Sequence, residues 1–185
     1  MTQPTVIVLA SGRGERFAAS GGSGHKLDAQ LGAKSVLQHT LDAVKASGLA
    51  WHLERRGGAG MGDSIAAAVA ATASASGWLI LPADLPLIQS ATLRAVAVAL
   101  QLHAVVVPLY RSRRGHPVGF SAGCRAALLA LQGDQGGTSI VRSHPAFELS
   151  VDDPGCVTDI DTLDDLRKAE GLMNAAVLTL SVHKD

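Results

Sequence analysis

Three short apolar runs constrain this chain more than any other feature: Val6-Ile7-Val8-Leu9-Ala10, Trp78-Leu79-Ile80-Leu81 and residues 104–108. A strand with one face in water alternates apolar and polar residues. These runs do not alternate, so each reads as a strand buried on both faces. Such a sheet needs helices above and below it, and the intervening segments supply them. Leu37, Leu41 and Val44 fall at helical spacing between residues 36 and 45, with Gly48 as a stop. Residues 64–73 are rich in Ala, Ser90 reads as an N-cap for a helix turning Leu93, Val96 and Leu100 inward, and residues 123–131 read as a helix stopped by Gly133. The expectation is an α/β fold of three layers around a mostly parallel, Rossmann-like sheet with right-handed crossovers.

Weaker signals fill the gaps. Residues 51–54 and 148–151 read as further strands, and residues 110–120 as a hairpin or loop with a basic cluster around Gly115. Thr162-Leu163-Asp164-Asp165 resembles a capping box, with Asp in place of the usual Glu, opening a last helix to Glu170. Residues 171–185 fit either a final strand or a loose tail. With 185 residues, no repeat and no linker, one domain is expected, with its core over about 5–170. Trp51 and Trp78 are both expected in that core.

Charge and cysteine content exclude several classes of function. The 16 basic and 16 acidic residues cancel, which argues against a broad nucleic-acid or anionic-membrane surface. Cys124 and Cys156 stand apart and outside any C-x-x-C pattern, so neither a disulfide framework nor a zinc site is expected. No run approaches a membrane span, and the first residues lack the features of a signal peptide. The chain therefore reads as soluble and cytoplasmic.

The chemistry concentrates in the turn after the first strand, Leu9-Ala10-Ser11-Gly12-Arg13-Gly14-Glu15-Arg16, with Lys26 beyond it. A Gly-rich turn leaves successive backbone N–H groups free to hold phosphate oxygens, and Arg13, Arg16 and Lys26 add positive charge. It is not a Walker A loop, because Lys26 lies between His25 and Leu27. Nor is it a dinucleotide fingerprint, because Phe17 replaces the last glycine. Asp84 follows the second buried strand between Pro82 and Pro86, and Asp159-Ile160-Asp161 lies between a strand and a helix. Carboxylates at strand ends suit a hard cation such as Mg²⁺ bound to a triphosphate, although capping alone would also explain Asp161.

In order along the chain, Leu9-Ala10-Ser11-Gly12 with Arg16 and Lys26, Gly60-Met61-Gly62-Asp63-Ser64, and Pro82-Ala83-Asp84-Leu85-Pro86 form one series of motifs. Arg114-Gly115-His116-Pro117-Val118-Gly119-Phe120, Gly133-Asp134-Gln135-Gly136 and Asp159-Ile160-Asp161-Thr162 complete it. With these the chain resembles the MobA-like NTP transferases, and most closely the molybdenum cofactor cytidylyltransferases. The resemblance implies the nucleotidyltransferase type of Rossmann-like fold. It also implies transfer of NMP from an NTP, with CTP favoured, to a phosphorylated acceptor, with molybdopterin favoured, and release of pyrophosphate.

By that resemblance Arg16, Lys26 and Asp84 are catalytic, while Asp84 and Asp161 hold Mg²⁺. Leu9, Ala10, Ser11, Gly12, Arg13, Gly14 and Lys26 bind nucleotide together with Gly60, Met61, Gly62 and Ser64, backbone groups near Gly62 reading the base. Arg114, His116, Pro117, Asp134 and Gly136 face the acceptor. A client molybdoenzyme is an implied partner. Other expectations compatible with these motifs are guanylyl or uridylyl transfer to another acceptor, and a catalytically weak chaperone for the cofactor.

Three departures from the family pattern stand out. The Arg16–Lys26 stretch is long and carries Gly21-Gly22-Ser23-Gly24, which predicts a mobile phosphate loop. The connection from Trp51 to Gly60 is short, and Gly137-Thr138 replaces the usual Ala and cation after Gly136. Lys26 itself is expected to be an exposed loop lysine of little consequence for stability.

Overall fold

The computed structural model describes residues 3–56 and 60–182, with side chains up to residue 175. Its strands are β1 (Thr5–Leu9), β2 (Gln30–Leu31), β3 (Lys34–Ser35), β4 (Ala50–Glu54), β5 (Gly77–Pro82), β6 (Val105–Tyr110), β7 (Arg113–Arg114), β8 (Val118–Ser121) and β9 (Ala146–Ser150). The helices are α1 (Glu15–Ala19), α2 (Val36–Ala46), α3 (Met61–Ala71), α4 (Ser90–Ala99), α5 (Arg125–Leu129), α6 (Thr138–Ser143) and α7 (Leu163–Val182).

Seven strands form the central sheet in the order β4-β1-β5-β8-β6-β7, with β9 on the other edge of β6. β1 pairs in parallel with β4 and β5, and β6 pairs in parallel with β9. β8 runs antiparallel between β5 and β6, so β5 and β6 share a direction. The sheet is therefore mostly parallel, as expected, with β7 and β8 reversed. β2 and β3 form a separate small hairpin.

The non-alternating runs bury both faces. Val6 and Val8 of β1 face one apolar cluster with Val36, Leu37 and Val44 of α2, Leu93 and Val96 of α4, and Ala169 of α7. Ile7, one residue out of phase, joins the other cluster with Ile65, Ala68 and Val69 of α3, Leu128 of α5 and Ile140 of α6. This is the period of two that sends successive strand side chains to opposite faces. Burying each such side chain contributes about 1.5–3 kcal/mol, so the β1 run alone anchors both layers.

Several local expectations are corrected. Ser90 is the first residue of α4, not its cap. The buried Asp153 does the capping from a distance, accepting from Gln89 N–H at 3.0 Å and Thr92 Oγ1 at 2.6 Å. Trp78 is fully buried, but Trp51 lies on edge strand β4 with 42% of its surface exposed, beneath the Lys45 ammonium. The last helix does not end at Glu170 but runs on to Val182, where a strand or loose tail was expected. The Thr162–Asp165 capping box is present.

Candidate functional site

Because β1, β4, β5, β6 and β9 share a direction, their carboxyl ends lie along one edge of the sheet. Open α/β sheets bind ligands at that edge. A cleft of about 730 Å³ occupies it here. The turn after β1 supplies Ser11, Gly12, Arg13 and Gly14, and the turn after β5 supplies Asp84. The β6–β7 hairpin brings Arg113 and Arg114, and the segment after β9 brings Asp159 and Asp161.

The centre of the cleft is an ion cluster. Lys26 Nζ donates to Asp84 Oδ2 at 2.6 Å and to Asp161 Oδ1 at 2.7 Å, and Arg16 reaches the other oxygen of Asp161 at 2.8 Å. The Lys26, Asp84 and Asp161 side chains keep only 12%, 15% and 16% of their surface exposed. Lys26 is thus not the exposed loop lysine its sequence context suggested. Burial pulls its pKa down, yet the charges and hydrogen bonds of Asp84 and Asp161 outweigh this and the pKa is raised.

The two carboxylates are positioned from different parts of the chain. Ile160 N–H donates to the Asp84 carbonyl at 2.9 Å, stitching the two turns together. Thr40 of α2, fully buried, donates its hydroxyl to the Ala83 carbonyl at 2.9 Å and steadies the β5 turn from below. Asp159, read only as part of a motif, also lines the cleft. Burial first, with the Asp161 and Asp84 charges added, raises its pKa.

Asp84 and Asp161 fit a hard divalent cation by two observations. They already converge on one positive point, the Lys26 ammonium, and Asp84 Oδ1 is buried without a hydrogen-bond partner. Two carboxylates are the donor set of an ion that keeps water and phosphate oxygens as its other ligands. Among the described residues no group of three or more His, Cys, Asp or Glu forms a dedicated metal cage.

Other expected site residues divide into wall and support. Leu9, Gly60, Met61, His116 and Asp134 also line the cleft. Ala10, Gly62, Ser64, Pro117 and Gly136 are not on its wall. Gly62 is buried and its N–H donates to the Gly133 carbonyl at 2.7 Å, so it is not available to read a base. A Cβ on Gly62 would lie 2.7 Å from the Gln135 carbonyl oxygen, which explains the glycine by packing. Ser64, fully buried, bonds the Gly60 carbonyl and, at 3.0 Å, the Ser11 hydroxyl, tying the Gly-rich turn to α3.

Asp63 Oδ2 accepts from both Gly60 N–H and Gly133 N–H, joining the two glycine motifs in one seam. Gly136 sits against the Met61 sulfur, and a Cβ on Gly137 would fall 2.8 Å from the Phe120 ring. The departure from the family pattern at Gly137 therefore has a packing cause.

His116 belongs to the wall rather than to a cationic site. Its backbone N–H is held by the Cys156 carbonyl, and its Nδ1 is buried without a partner. Burial pushes its pKa down despite the nearby Asp84 and Asp159, so the ring stays neutral at pH 7. Arg114 pairs with Glu148 of β9 through Nε and Nη2 at 2.8 and 2.7 Å. The loop from Arg16 to Lys26 is ordered by α1 and by Ser20 Oγ, which accepts from Leu163 N–H at 3.0 Å. Residues 57–59 of the short connection lie outside the described residues.

A model of the MobA-like NTP transferase domain matches residues 6–148. The chain belongs to that family. No match is found among curated proteins. Among solved structures it is similar to Rv0371c from Mycobacterium tuberculosis H37Rv, at 28% identity and a TM-score of 0.77 over 92% of this chain and 98% of that one. A complex of that protein with manganese matches at 27% identity and a TM-score of 0.70 over the same shares.

Molybdopterin-guanine dinucleotide biosynthesis protein A from Archaeoglobus fulgidus is 17% identical, with a TM-score of 0.64 over 92% of this chain and 99% of that one. The 2-C-methyl-D-erythritol 4-phosphate cytidylyltransferase from Thermus thermophilus is 18% identical, also at 0.64, over 94% and 100%. At those identities the last two show the fold alone. Family and fold make this MobA-like chain a nucleotidyltransferase. No helix among the described residues is long and apolar enough to cross a membrane.

Proposed function

We propose that the chain transfers CMP from CTP to a phosphorylated acceptor of the molybdopterin class, with Mg²⁺, and releases pyrophosphate. The observation that carries the reading is Lys26, held by two carboxylates at the strand ends opposite a Gly-rich turn. An ammonium has three donors, and two are spent on Asp84 and Asp161, so the third serves a phosphate oxygen. Arg16 and Arg13, with side chains 77% and 82% exposed, extend the positive wall for the rest of the triphosphate.

In the reaction an acceptor phosphate oxygen attacks the α-phosphorus. The bond to the bridging oxygen breaks, and the charge leaves with pyrophosphate. The attacking phosphate is already ionised, so no proton need be removed. Lys26, Arg16 and the loop amides hold the triphosphate in line and meet the charge that builds on it. A divalent ion on Asp84 and Asp161 supplies further neutralisation of the phosphates. That the similar Rv0371c has been solved as a complex with manganese supports a divalent ion as the cofactor.

Support for CTP comes from Gly60-Met61-Gly62-Asp63-Ser64, which resembles the cytidylyl branch, and from the short connection before it. With the Gly62 N–H spent on Gly133, Gly60 and Met61 are the parts of this motif that face the cleft. Support for a molybdopterin-class acceptor comes from the resemblance and from the wall of Arg114, His116 and Asp134 opposite the phosphate loop. The test is pyrophosphate release with each of the four NTPs, Mg²⁺, and either molybdopterin or sugar phosphates as acceptor. Release with CTP and molybdopterin is expected. Release only with a sugar phosphate would end the acceptor assignment.

A further inference from the structure

His25 makes two hydrogen bonds that lead to different parts of the cleft. Its Nδ1 accepts from Leu27 N–H at 3.2 Å and so caps the short 3₁₀ turn, Lys26–Asp28, that carries the central lysine. A neutral imidazole has one proton, so an accepting Nδ1 puts the hydrogen on Nε2. Nε2–H then donates to the Gly12 carbonyl at 2.6 Å. The same ring also borders Gly14. Gly14, in the left-handed region at φ 68°, lies where a Cβ would touch His25 Cδ2 and the Lys26 backbone nitrogen, each at 3.6 Å.

We infer that His25 is a positioning residue for the nucleotide, holding the Gly12–Arg16 loop at a set distance from Lys26. The inference rests on reading that loop as the triphosphate seat. The connection between them is held at its start by α1 and Ser20, but Gly21, Gly22 and Gly24 follow before His25, so the tie at the far end comes from the ring. Lys26 is fixed from the other side by Asp84 and Asp161, while the loop touches α3 through Ser11 and Ser64. The imidazole links these two anchors directly. A loop already in register binds its ligand without first losing conformational freedom.

The two bonds can be separated experimentally. His25→Ser keeps an oxygen able to cap Leu27 N–H but is too short to reach Gly12, whereas His25→Ala loses both. Three quantities are read for each: thermal stability, amide exchange of residues 11–16 without ligand, and the Kd for CTP with Mg²⁺. For His25→Ser, stability stays near wild type. Loop exchange quickens and CTP binds more weakly, each by about two- to ten-fold, with KM rising more than kcat falls.

Wild-type exchange and wild-type Kd in His25→Ser overturn the inference, and so does a defect confined to His25→Ala, which would make the ring a cap only. If the wild-type chain binds no NTP, the triphosphate reading fails and the nucleotide role of His25 falls with it. Loop exchange still decides, independently, whether the ring holds Gly12.

Discussion

The two halves of the sheet build the cleft in different ways. On one side, β4, β1 and β5 are parallel neighbours, and their carboxyl ends deliver the Gly-rich turn and Asp84 as direct continuations of strands. On the other side β8 is reversed, β7 is a two-residue strand, and β9 reaches the cleft only through a long segment ending at Asp161. The first half places its groups by strand register. The second needs specific stitches, such as Ile160 on the Asp84 carbonyl and Gly115 packed against Cys156. Register places the groups of the first half directly, and in the proposed reaction these hold the triphosphate while the stitched half faces the acceptor.

Lys26 joins the halves, so removing it has the largest expected effect. Lys26→Met is expected to lower kcat by roughly 10²- to 10³-fold, the scale of losing one charge-stabilising donor. It also leaves Asp84 and Asp161 side by side without their shared cation. A stability loss of about 3 kcal/mol by urea denaturation is expected, the low end for breaking a buried ion pair because these side chains keep some exposure. Turnover at the wild-type rate in a folded Lys26→Met protein would remove the lysine from the chemistry.

Next in size is the carboxylate pair, one from each half. Asp84→Asn and Asp161→Asn should each cost roughly 100-fold in metal-dependent turnover. The double variant should be little worse than either, because groups acting as a unit are not additive. Fully multiplicative losses would show that the two halves contribute separately.

The same contrast explains what was legible in the sequence. Val6–Leu9 and Trp78–Leu81 announce themselves because a strand covered on both faces cannot alternate, and the residues just beyond them are then placed by topology. Lys26, Asp84 and Asp161 could each be named from motifs, but the lysine's burial between two carboxylates could not, because residues 26, 84 and 161 meet only in the fold. Asp153 left no local sign. Its role is to cap α4 from 61 residues away in sequence. α6 was missed because its six residues are too few to show a period. The packing that Gly62 serves could not be read either, because a glycine kept for close packing looks the same in sequence as one kept for a ligand.

Base choice is a finer test of the parallel half, where Gly60 and Met61 border the cleft. One hydrogen bond that the wrong base leaves unmade costs about 1–3 kcal/mol, so on the proposed reading kcat/KM for CTP should exceed that for GTP by about 5- to 150-fold. A preference for GTP would assign the chain to guanylyl transfer and leave the ion cluster as described.

The smallest expected effect concerns how the stitched half holds Asp161. Asp165 Oδ2 accepts from Thr162 Oγ1 at 2.7 Å, from Thr162 N–H at 2.9 Å and from Asp161 N–H at 3.3 Å. One carboxylate therefore caps α7 and fixes the backbone that aims Asp161 at Lys26. The Thr162 hydroxyl, foremost, lowers the pKa of Asp165. A depressed carboxylate pKa stabilises the fold fully above the unfolded value, about 3.9, and the contribution is lost as pH falls through the folded pKa. Asp165→Ala should thus cost about 1 kcal/mol at pH 7, the usual worth of a cap, and progressively less below about pH 4. Its kcat should fall only a few-fold, because Lys26 and Arg16 still grip the Asp161 side chain. Denaturation curves of wild type and variant at pH 7 and pH 3 check the sign. A difference that grows in acid would mean that Asp165 holds the turn by something other than its charge.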